Sequence, residues 1–185
     1  MPESKSNKII TIPNIMSLVR LLLIPVCVWA YCVKKDYALS VIILVLSALT
    51  DVADGFIARR FNLVSDVGKV LDPIADKATQ FAMLCCLLTR FWYMILPMAL
   101  IVLKEVFAGI TGLLAVKKTQ SVPCADWHGK LATVLLYAMI FLHMIWIDIP
   151  GVVSKLSVFV CMCLIILSFV LYGIRNITMI RSKNK

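Results

Sequence analysis

Hydrophobic residues run along this chain in stretches of about 20, separated by short polar breaks. The stretches cover positions 12–33, a second beginning near 37, a third ending near 89, and then 93–116, 129–147 and 152–174. A helix of about 20 apolar residues crosses a hydrocarbon core about 30 Å thick. The pattern therefore predicts an all-α, polytopic membrane protein, a bundle of six transmembrane helices forming one domain over residues 1–185.

Composition supports a membrane protein. Hydrophobic residues make up 62% of the chain, charged residues 16%, and the mean hydropathy is +0.96. A soluble domain is nearer half apolar and a quarter charged. The polar first eight residues indicate no cleavable signal peptide. The seven cysteines lack the spacing of a disulfide framework or zinc site, which favours small buried hydrophobes.

Positive charge predicts the orientation. An even number of spans places both termini on one side, and most of the lysine and arginine residues between spans fall on that side. The positive-inside rule then puts both termini in the cytoplasm. A net charge of +9 suits a protein lying against an anionic leaflet and requires no nucleic-acid partner.

Acidic residues are concentrated between positions 51 and 77. This segment contains five of the chain's ten acidic residues, at Asp51, Asp54, Asp66, Asp72 and Asp76. The apolar part of span two before Asp51 is 14 residues long, about 21 Å of helix, and cannot cross the core alone. Four of these aspartates should therefore lie below the cytoplasmic surface, in a polar cavity or beside a cation. Asp66 is better placed to cap the third helix.

The spacing of these aspartates indicates one site. Asp51 and Asp54 are three residues apart and Asp72 and Asp76 are four apart, so each pair occupies one helix face. A turn near position 64 would set Asp51 level with Asp76 and Asp54 level with Asp72. Carboxylate oxygens suit Mg²⁺, Mn²⁺ or Ca²⁺, and four of them suit two ions, an arrangement used for displacement at phosphorus.

Small and basic residues lie among the carboxylates. Gly55, Ala58 and Gly68 remove bulk from the facing helices, and Arg59 offers a cation to a phosphate. Each small residue alone could equally serve close packing between transmembrane helices. Lys130, beside Gly129 at the start of span five, is a second candidate cation for the site.

On span one, Asn14, Ser17 and Arg20 share a helix face at the cytoplasmic end. Two interpretations of this face stay open. It is either an interfacial cap with a snorkelling arginine, or a contact to a nucleotide or acceptor.

The acidic segment reads D-x₂-D-G-x₂-A-R-x₈-G-x₃-D-x₃-D. This pattern resembles the signature of the CDP-alcohol phosphatidyltransferase family at all eight fixed positions. The opening "IPNIMSLVRLLLIP", the segment "LDPIADK" and the segment "GKLAT" are similar to bacterial members that act on glycerol phosphate. The resemblance covers nearly the whole chain.

The resemblance implies a reaction and a cellular location. An acceptor hydroxyl attacks the phosphorus next to the diacylglycerol of CDP-diacylglycerol, releasing CMP, at the cytoplasmic face of a bacterial-type cell membrane. It also implies a homodimer and a requirement for Mg²⁺ or Mn²⁺, as two ions.

The resemblance also assigns roles to residues. The expected metal ligands are Asp51, Asp54, Asp72 and Asp76, and the expected catalytic residues are Asp76 and Asp72. The expected contacts to the CDP moiety are Asp51, Gly55, Ala58, Arg59 and Gly68.

The segment "LKEVFAGITG" bears on the identity of the acceptor. It resembles a segment of glycerol-phosphate enzymes that contains Arg-Glu, with a further Arg seven residues later. Lys104 stands for the first Arg, and Gly112 stands where the second is expected. Candidate acceptor-binding residues are Lys104, Lys130 and Arg20. We expect sn-glycerol 3-phosphate first and phosphatidylglycerol, as in a cardiolipin synthase, second. Acceptors that give phosphatidylserine or inositol lipids follow.

Two other classes of protein compete with this interpretation. A divalent-cation or proton-coupled transporter would also place carboxylates in the membrane, but Arg59 beside them would oppose cation passage. A membrane prenyltransferase would need a second aspartate-rich motif in a distant helix and a longer chain. Both are less favoured.

Overall fold

The computed structural model describes residues 12–61, 68–119 and 127–182, with the backbone alone described at 12, 13, 52–61, 69, 70, 113–119, 128, 176 and 179–182. All regular structure in these ranges is helical. The helices are α1 (Ile12–Cys32), α2 (Tyr37–Phe61), α3 (Gly68–Leu88), α4 (Ile95–Thr119), α5 (Trp127–Ile145) and α6 (Gly151–Ser182), with a 3₁₀ helix at Trp92–Met94. The all-α prediction with six long helices is confirmed.

Several predicted boundaries differ from the observed ones. Helix α6 continues to Ser182, eight residues beyond the predicted end of the sixth span, and α4 continues to Thr119 through the predicted break at 117. Hydropathy predicts only the apolar part of a helix. Backbone hydrogen bonds extend the helix beyond that part into polar sequence. The predicted cap at Asp66 lies outside the described residues.

Membrane-crossing segments can be recognised among the described helices. Three are long and apolar enough to cross a membrane, namely Asn14–Cys32, Trp92–Gly112 and Gly151–Arg175, and two shorter apolar helices are Tyr37–Asp51 and Gly129–Ile145. The apolar part of α2 therefore stops at Asp51, as predicted. Large apolar side chains face outward, since Val152 is 80% exposed and Phe159 is 63% exposed. An outer surface of this kind is what a lipid environment requires, and the chain is a polytopic membrane protein.

The chain divides into two compact units, Met1–Thr89 and Arg90–Lys185. In the first unit, α1 packs against both α2 and α3. The tight turn between α1 and α2 uses Lys35 in the left-handed region (φ 54°) and Asp36, whose carboxylate accepts a hydrogen bond from the Leu39 backbone N–H at 2.9 Å. Asp36 thereby satisfies a backbone donor at the start of α2. In the second unit, α6 packs against both α4 and α5.

A series of side-chain hydrogen bonds joins three segments of the second unit. His143 Nδ1 lies 2.8 Å from the Met139 carbonyl oxygen, its Nε2 lies 2.7 Å from Ser154 Oγ, and Ser154 Oγ lies 2.5 Å from the Tyr93 hydroxyl. Since a carbonyl only accepts, Nδ1 carries the proton. In the neutral ring Nε2 accepts from Ser154, and Tyr93 then donates to Ser154. One serine hydroxyl thus satisfies the buried His143 ring and the half-buried Tyr93 hydroxyl.

Replacing Ser154 with alanine should destabilise the protein. The change strands the His143 ring nitrogen and the Tyr93 hydroxyl, and a buried polar group without a partner costs about 1–3 kcal/mol. We expect the thermal midpoint in detergent to fall by several degrees. Ser168→Ala is the matched control, because Ser168 is equally buried in α6 and its hydroxyl has no hydrogen-bond partner within the described part of the chain. An equal fall in both variants would contradict this role for Ser154.

Candidate active site

Asp51 and Asp76 converge on one arginine in the first unit. Arg20 Nη2 lies 2.5 Å from Asp51 Oδ1, and Arg20 Nη1 lies 2.7 Å from Asp76 Oδ1. The guanidinium side chain is 2% exposed, whereas the two carboxylate side chains are 46% and 42% exposed. A buried cation thus holds two carboxylates that remain open to a ligand.

The three side chains lie at similar distances from their helix ends. Arg20 is eight residues after Ile12, Asp76 is eight residues after Gly68, and Asp51 is ten residues before Phe61. At 1.5 Å per residue these offsets are about 12–15 Å. The expectation that Asp51 lies level with Asp76 agrees with this geometry. Arg20 of α1 joins Asp51 of α2 to Asp76 of α3. The hairpin of α2 and α3 that the sequence predicted did not include this contribution from α1.

The polar face of α1 is the support for these carboxylates. Asn14, Ser17 and Arg20 are all buried, at 7%, 0% and 2% exposure. The Ser17 hydroxyl donates a hydrogen bond to Asp72 Oδ1, so α1 contacts a third aspartate of the signature. The sequence placed these three residues on one face without identifying their partners. Their three-residue spacing on an otherwise apolar helix was the signal available.

Several expected site residues cannot be placed by their side chains. Gly68 is buried at the start of α3, one turn before Asp72. The side chains at Asp54, Ala58 and Arg59, and the surroundings of Gly55, lie outside the described residues. Contacts of Gly55, Ala58 and Arg59 to CDP stay a prediction, and so does the role of Asp54 as a metal ligand.

A second polar cluster lies in the other unit, around Tyr172. Lys104 is buried, with Nζ 5.9 Å from the centre of the Tyr172 ring and 3.3 Å from Glu105 Oε1. Arg175 also lies over the Tyr172 ring, with its guanidinium carbon 5.0 Å from the centre. Cations favour the faces of aromatic rings. The structure therefore gathers two cations on one ring, and the sequence had not singled out Arg175 or Tyr172.

The start of α5 explains the glycine of "GKLAT". A Cβ atom built on Gly129 would clash with the Tyr172 hydroxyl and come within 2.9 Å of the ring. Glycine lets the two helices approach at this point. The neighbouring Lys130 is exposed, so its predicted role in acceptor binding stays a prediction.

Comparison with known proteins identifies the class. The family model for CDP-alcohol phosphatidyltransferases matches residues 10–180, which include most of both units. The chain belongs to the CDP-alcohol phosphatidyltransferase family.

Individual relatives narrow the comparison. The chain is 35% identical over 133 residues to the CDP-diacylglycerol–glycerol-3-phosphate 3-phosphatidyltransferase of Rickettsia felis, with 70% of this chain and 71% of that protein covered. It is 30% identical over 150 residues to the protein of the same name from Salmonella typhimurium, with 76% and 82% covered. The resemblance inferred from the signature is confirmed.

Members of this family use divalent metal ions. The donors described here fit such ions by their chemistry, because Asp51, Asp72 and Asp76 offer hard carboxylate oxygens. Each of the three contacts α1 through its Oδ1 atom, and a carboxylate has a second oxygen that can bind a cation. Among the described side chains, no three His, Cys, Asp or Glu residues lie close enough to hold one ion. Asp54 is outside that search, and the four-ligand set stays a prediction.

Proposed function

We propose that this protein transfers the phosphatidyl group of CDP-diacylglycerol to sn-glycerol 3-phosphate, giving phosphatidylglycerophosphate and CMP. The observation that carries the proposal is the convergence of the signature residues Asp51 and Asp76 on Arg20, from two helices of one unit. Relatives that cover at least 70% of this chain bear the name of that activity. The proposed setting is the cytoplasmic face of a bacterial-type cell membrane, with both termini cytoplasmic and the chain a homodimer.

The proposed chemistry is a displacement at phosphorus. The acceptor oxygen forms a bond to the phosphorus next to the diacylglycerol, and the bond from that phosphorus to the CMP oxygen breaks with its electron pair. Asp76 takes the proton of the acceptor hydroxyl, with Asp72 as the other candidate base. A carboxylate in this position must lie within hydrogen-bond reach of the hydroxyl, and the 42% exposure of Asp76 permits such an approach.

The remaining signature residues would bind the donor substrate. Asp51, Asp54, Asp72 and Asp76 would hold Mg²⁺ or Mn²⁺, proposed as two ions, which would offset the negative charge of the diphosphate. Arg59 would add a cation for the same diphosphate, and the small residues Gly55, Ala58 and Gly68 would let the CDP moiety approach the backbone.

The acceptor's phosphate requires cations, and Lys104 and Arg175 are two cations that lie close together within the second unit. We assign Lys104 to this phosphate, supported by its burial and by the cation site that it shares with Arg175 at Tyr172. Charge-assisted hydrogen bonds to phosphate are among the stronger ones available to a protein. Lys130 and Arg20 stay additional candidates, although Arg20 is already engaged by two carboxylates.

The direct test is CMP release by the purified full chain with CDP-diacylglycerol and Mg²⁺ or Mn²⁺. CMP that depends on glycerol 3-phosphate is the expected result, and EDTA should abolish it. CMP that depends on phosphatidylglycerol would instead make the protein a cardiolipin synthase, the second candidate, which the missing arginine at Gly112 favours. No CMP with any acceptor in a folded sample would contradict the proposal and revive the transporter alternative.

Gly112→Arg should improve the use of glycerol 3-phosphate. A Cβ atom at Gly112 meets no heavy atom within 4 Å, so a side chain can start there without displacing a neighbour. Arginine is also a better helix former than glycine by up to about 1 kcal/mol. We expect the KM for glycerol 3-phosphate to fall about 5- to 10-fold, the effect of roughly 1 kcal/mol or slightly more.

Gly112→Gln is the control for Gly112→Arg, since it adds a side chain of similar length without a charge. It should keep the KM of the parent protein. Equal KM values for the two variants would show that this position does not face the acceptor's phosphate.

A further inference from the structure

Arg20 is an unusual neighbour for a cation-binding site. Its guanidinium is buried and lies between Asp51 and Asp76, at 2.5 and 2.7 Å. Both of these carboxylates are proposed ligands of divalent cations. The site therefore contains a fixed positive charge of its own, placed against the groups that a metal would use.

This arrangement has two opposite electrostatic effects. Without a metal, the guanidinium offsets the repulsion between two carboxylates brought together below the membrane surface. With a metal on the same carboxylates, the guanidinium is a like charge at short range, and it competes for their electron density. The guanidinium is 2% exposed, so solvent screens its charge little on the buried side and both effects should be measurable.

We propose that Arg20 is the resident counter-ion of the carboxylate site: it stabilises Asp51 and Asp76 in the metal-free protein and lowers their affinity for divalent cations. This inference rests on the proposed function, which makes the two aspartates metal ligands. Arg20 is then a residue that sets the metal requirement of the enzyme by acting through Asp51 and Asp76.

Ser17 provides an internal comparison. It also lies on the buried face of α1 and also contacts a signature aspartate, Asp72, but its hydroxyl carries no charge. A neutral donor orients a carboxylate without repelling a cation. Loss of Ser17 should therefore weaken metal binding or leave it unchanged, whereas loss of Arg20 should strengthen it.

The experiment measures Mn²⁺ binding to the purified full-length protein in detergent, by the electron paramagnetic resonance signal of free Mn²⁺. Arg20→Gln should lower the Kd for Mn²⁺ at least about 10-fold and should lower the thermal midpoint in EDTA. Ser17→Ala should leave the Kd unchanged or raise it. Lys34→Gln, which removes an exposed cation lying 4.7 Å from the Trp29 ring, should bind Mn²⁺ like the parent protein.

Arg20→Lys is the second variant for the same Mn²⁺ titration, and it replaces Arg20→Gln if that variant does not fold. The guanidinium reaches the two aspartates through separate nitrogens, and an ammonium group has one nitrogen. Its weaker hold should place the Kd between those of the parent and Arg20→Gln. A Kd in either folded variant that equals or exceeds the parent value would overturn the inference.

The same titration separates this inference from the proposed function. An unchanged or higher Kd in the Arg20 variants, in a protein that binds Mn²⁺ and releases CMP, contradicts the counter-ion role alone. A parent protein that binds no Mn²⁺ contradicts the metal site and the inference together.

Discussion

Asp76→Asn should lower the turnover number for CMP release by at least about 1,000-fold while the helical bundle stays folded. Asparagine has nearly the same shape as aspartate, and its side-chain oxygen can still accept the hydrogen bond from Arg20. It cannot take a proton from an acceptor hydroxyl, and it is a weaker ligand for a hard cation. General-base catalysis alone contributes about 10²–10⁴-fold, and the loss of a metal ligand adds to that figure.

Mn²⁺ binding separates the two roles of Asp76. If Asp76 is chiefly the base, Asp76→Asn should bind Mn²⁺ like the parent and fail to turn over. If it is chiefly a ligand, both properties should fall. Asp148→Asn is the control, because Asp148 is an exposed carboxylate outside the signature. Full activity in a folded Asp76→Asn variant would remove Asp76 from the mechanism.

The helices could be predicted well because lipid imposes a simple rule on sequence. A segment that crosses a hydrocarbon core must satisfy its backbone within a helix and present apolar side chains, so apolar length identifies it. The predicted first span at 12–33 and the observed α1, Ile12–Cys32, agree for this reason. Outside the hydrocarbon core a helix need not be apolar. Hydropathy therefore did not predict the last eight residues of α6.

The candidate site was predictable in part. Helical spacing sufficed to place Asp51 level with Asp76, because both belong to one signature and each helix has a fixed rise per residue. Their common partner was not predictable, since the sequence left Arg20 open as a snorkelling interfacial arginine or as a contact to a nucleotide or acceptor, and neither interpretation names the two aspartates. The packing of α1 against both α2 and α3 brings Arg20 to both of them. That packing is tertiary information.

The Tyr172 cluster was hidden for a related reason. Lys104, Gly129 and Arg175 come from three helices and share no spacing that marks them as neighbours. Their common element is one aromatic ring, which both cations approach and whose hydroxyl faces the glycine. Sequence reasoning reached Lys104 through the segment that resembles the Arg-Glu of glycerol-phosphate enzymes, and Gly129 through "GKLAT". It did not reach Tyr172, the ring that both of them contact.

Lys104→Gln should reduce kcat/KM for glycerol 3-phosphate about 100-fold, mainly through KM. A hydrogen bond to a charged group is worth about 1.5–3 kcal/mol, and each 1.4 kcal/mol is a factor of ten. The upper end applies because Lys104 is 6% exposed and little solvent screens its charge. Glutamine keeps much of the side-chain volume, so the thermal midpoint should change little. Initial rates of CMP release at varied acceptor concentration measure the effect.

Lys104→Arg is the decisive comparison, because it restores the residue that stands here in the enzymes this segment resembles. It should keep kcat/KM within about threefold of the parent, since it preserves the charge and offers more donors to a phosphate. Lys155→Gln, at an exposed lysine in the second unit, should have no effect. If Lys104→Gln loses nothing with glycerol 3-phosphate, the phosphate does not bind at Lys104. In that case Arg175 becomes the next cation to test, because it lies over the same ring.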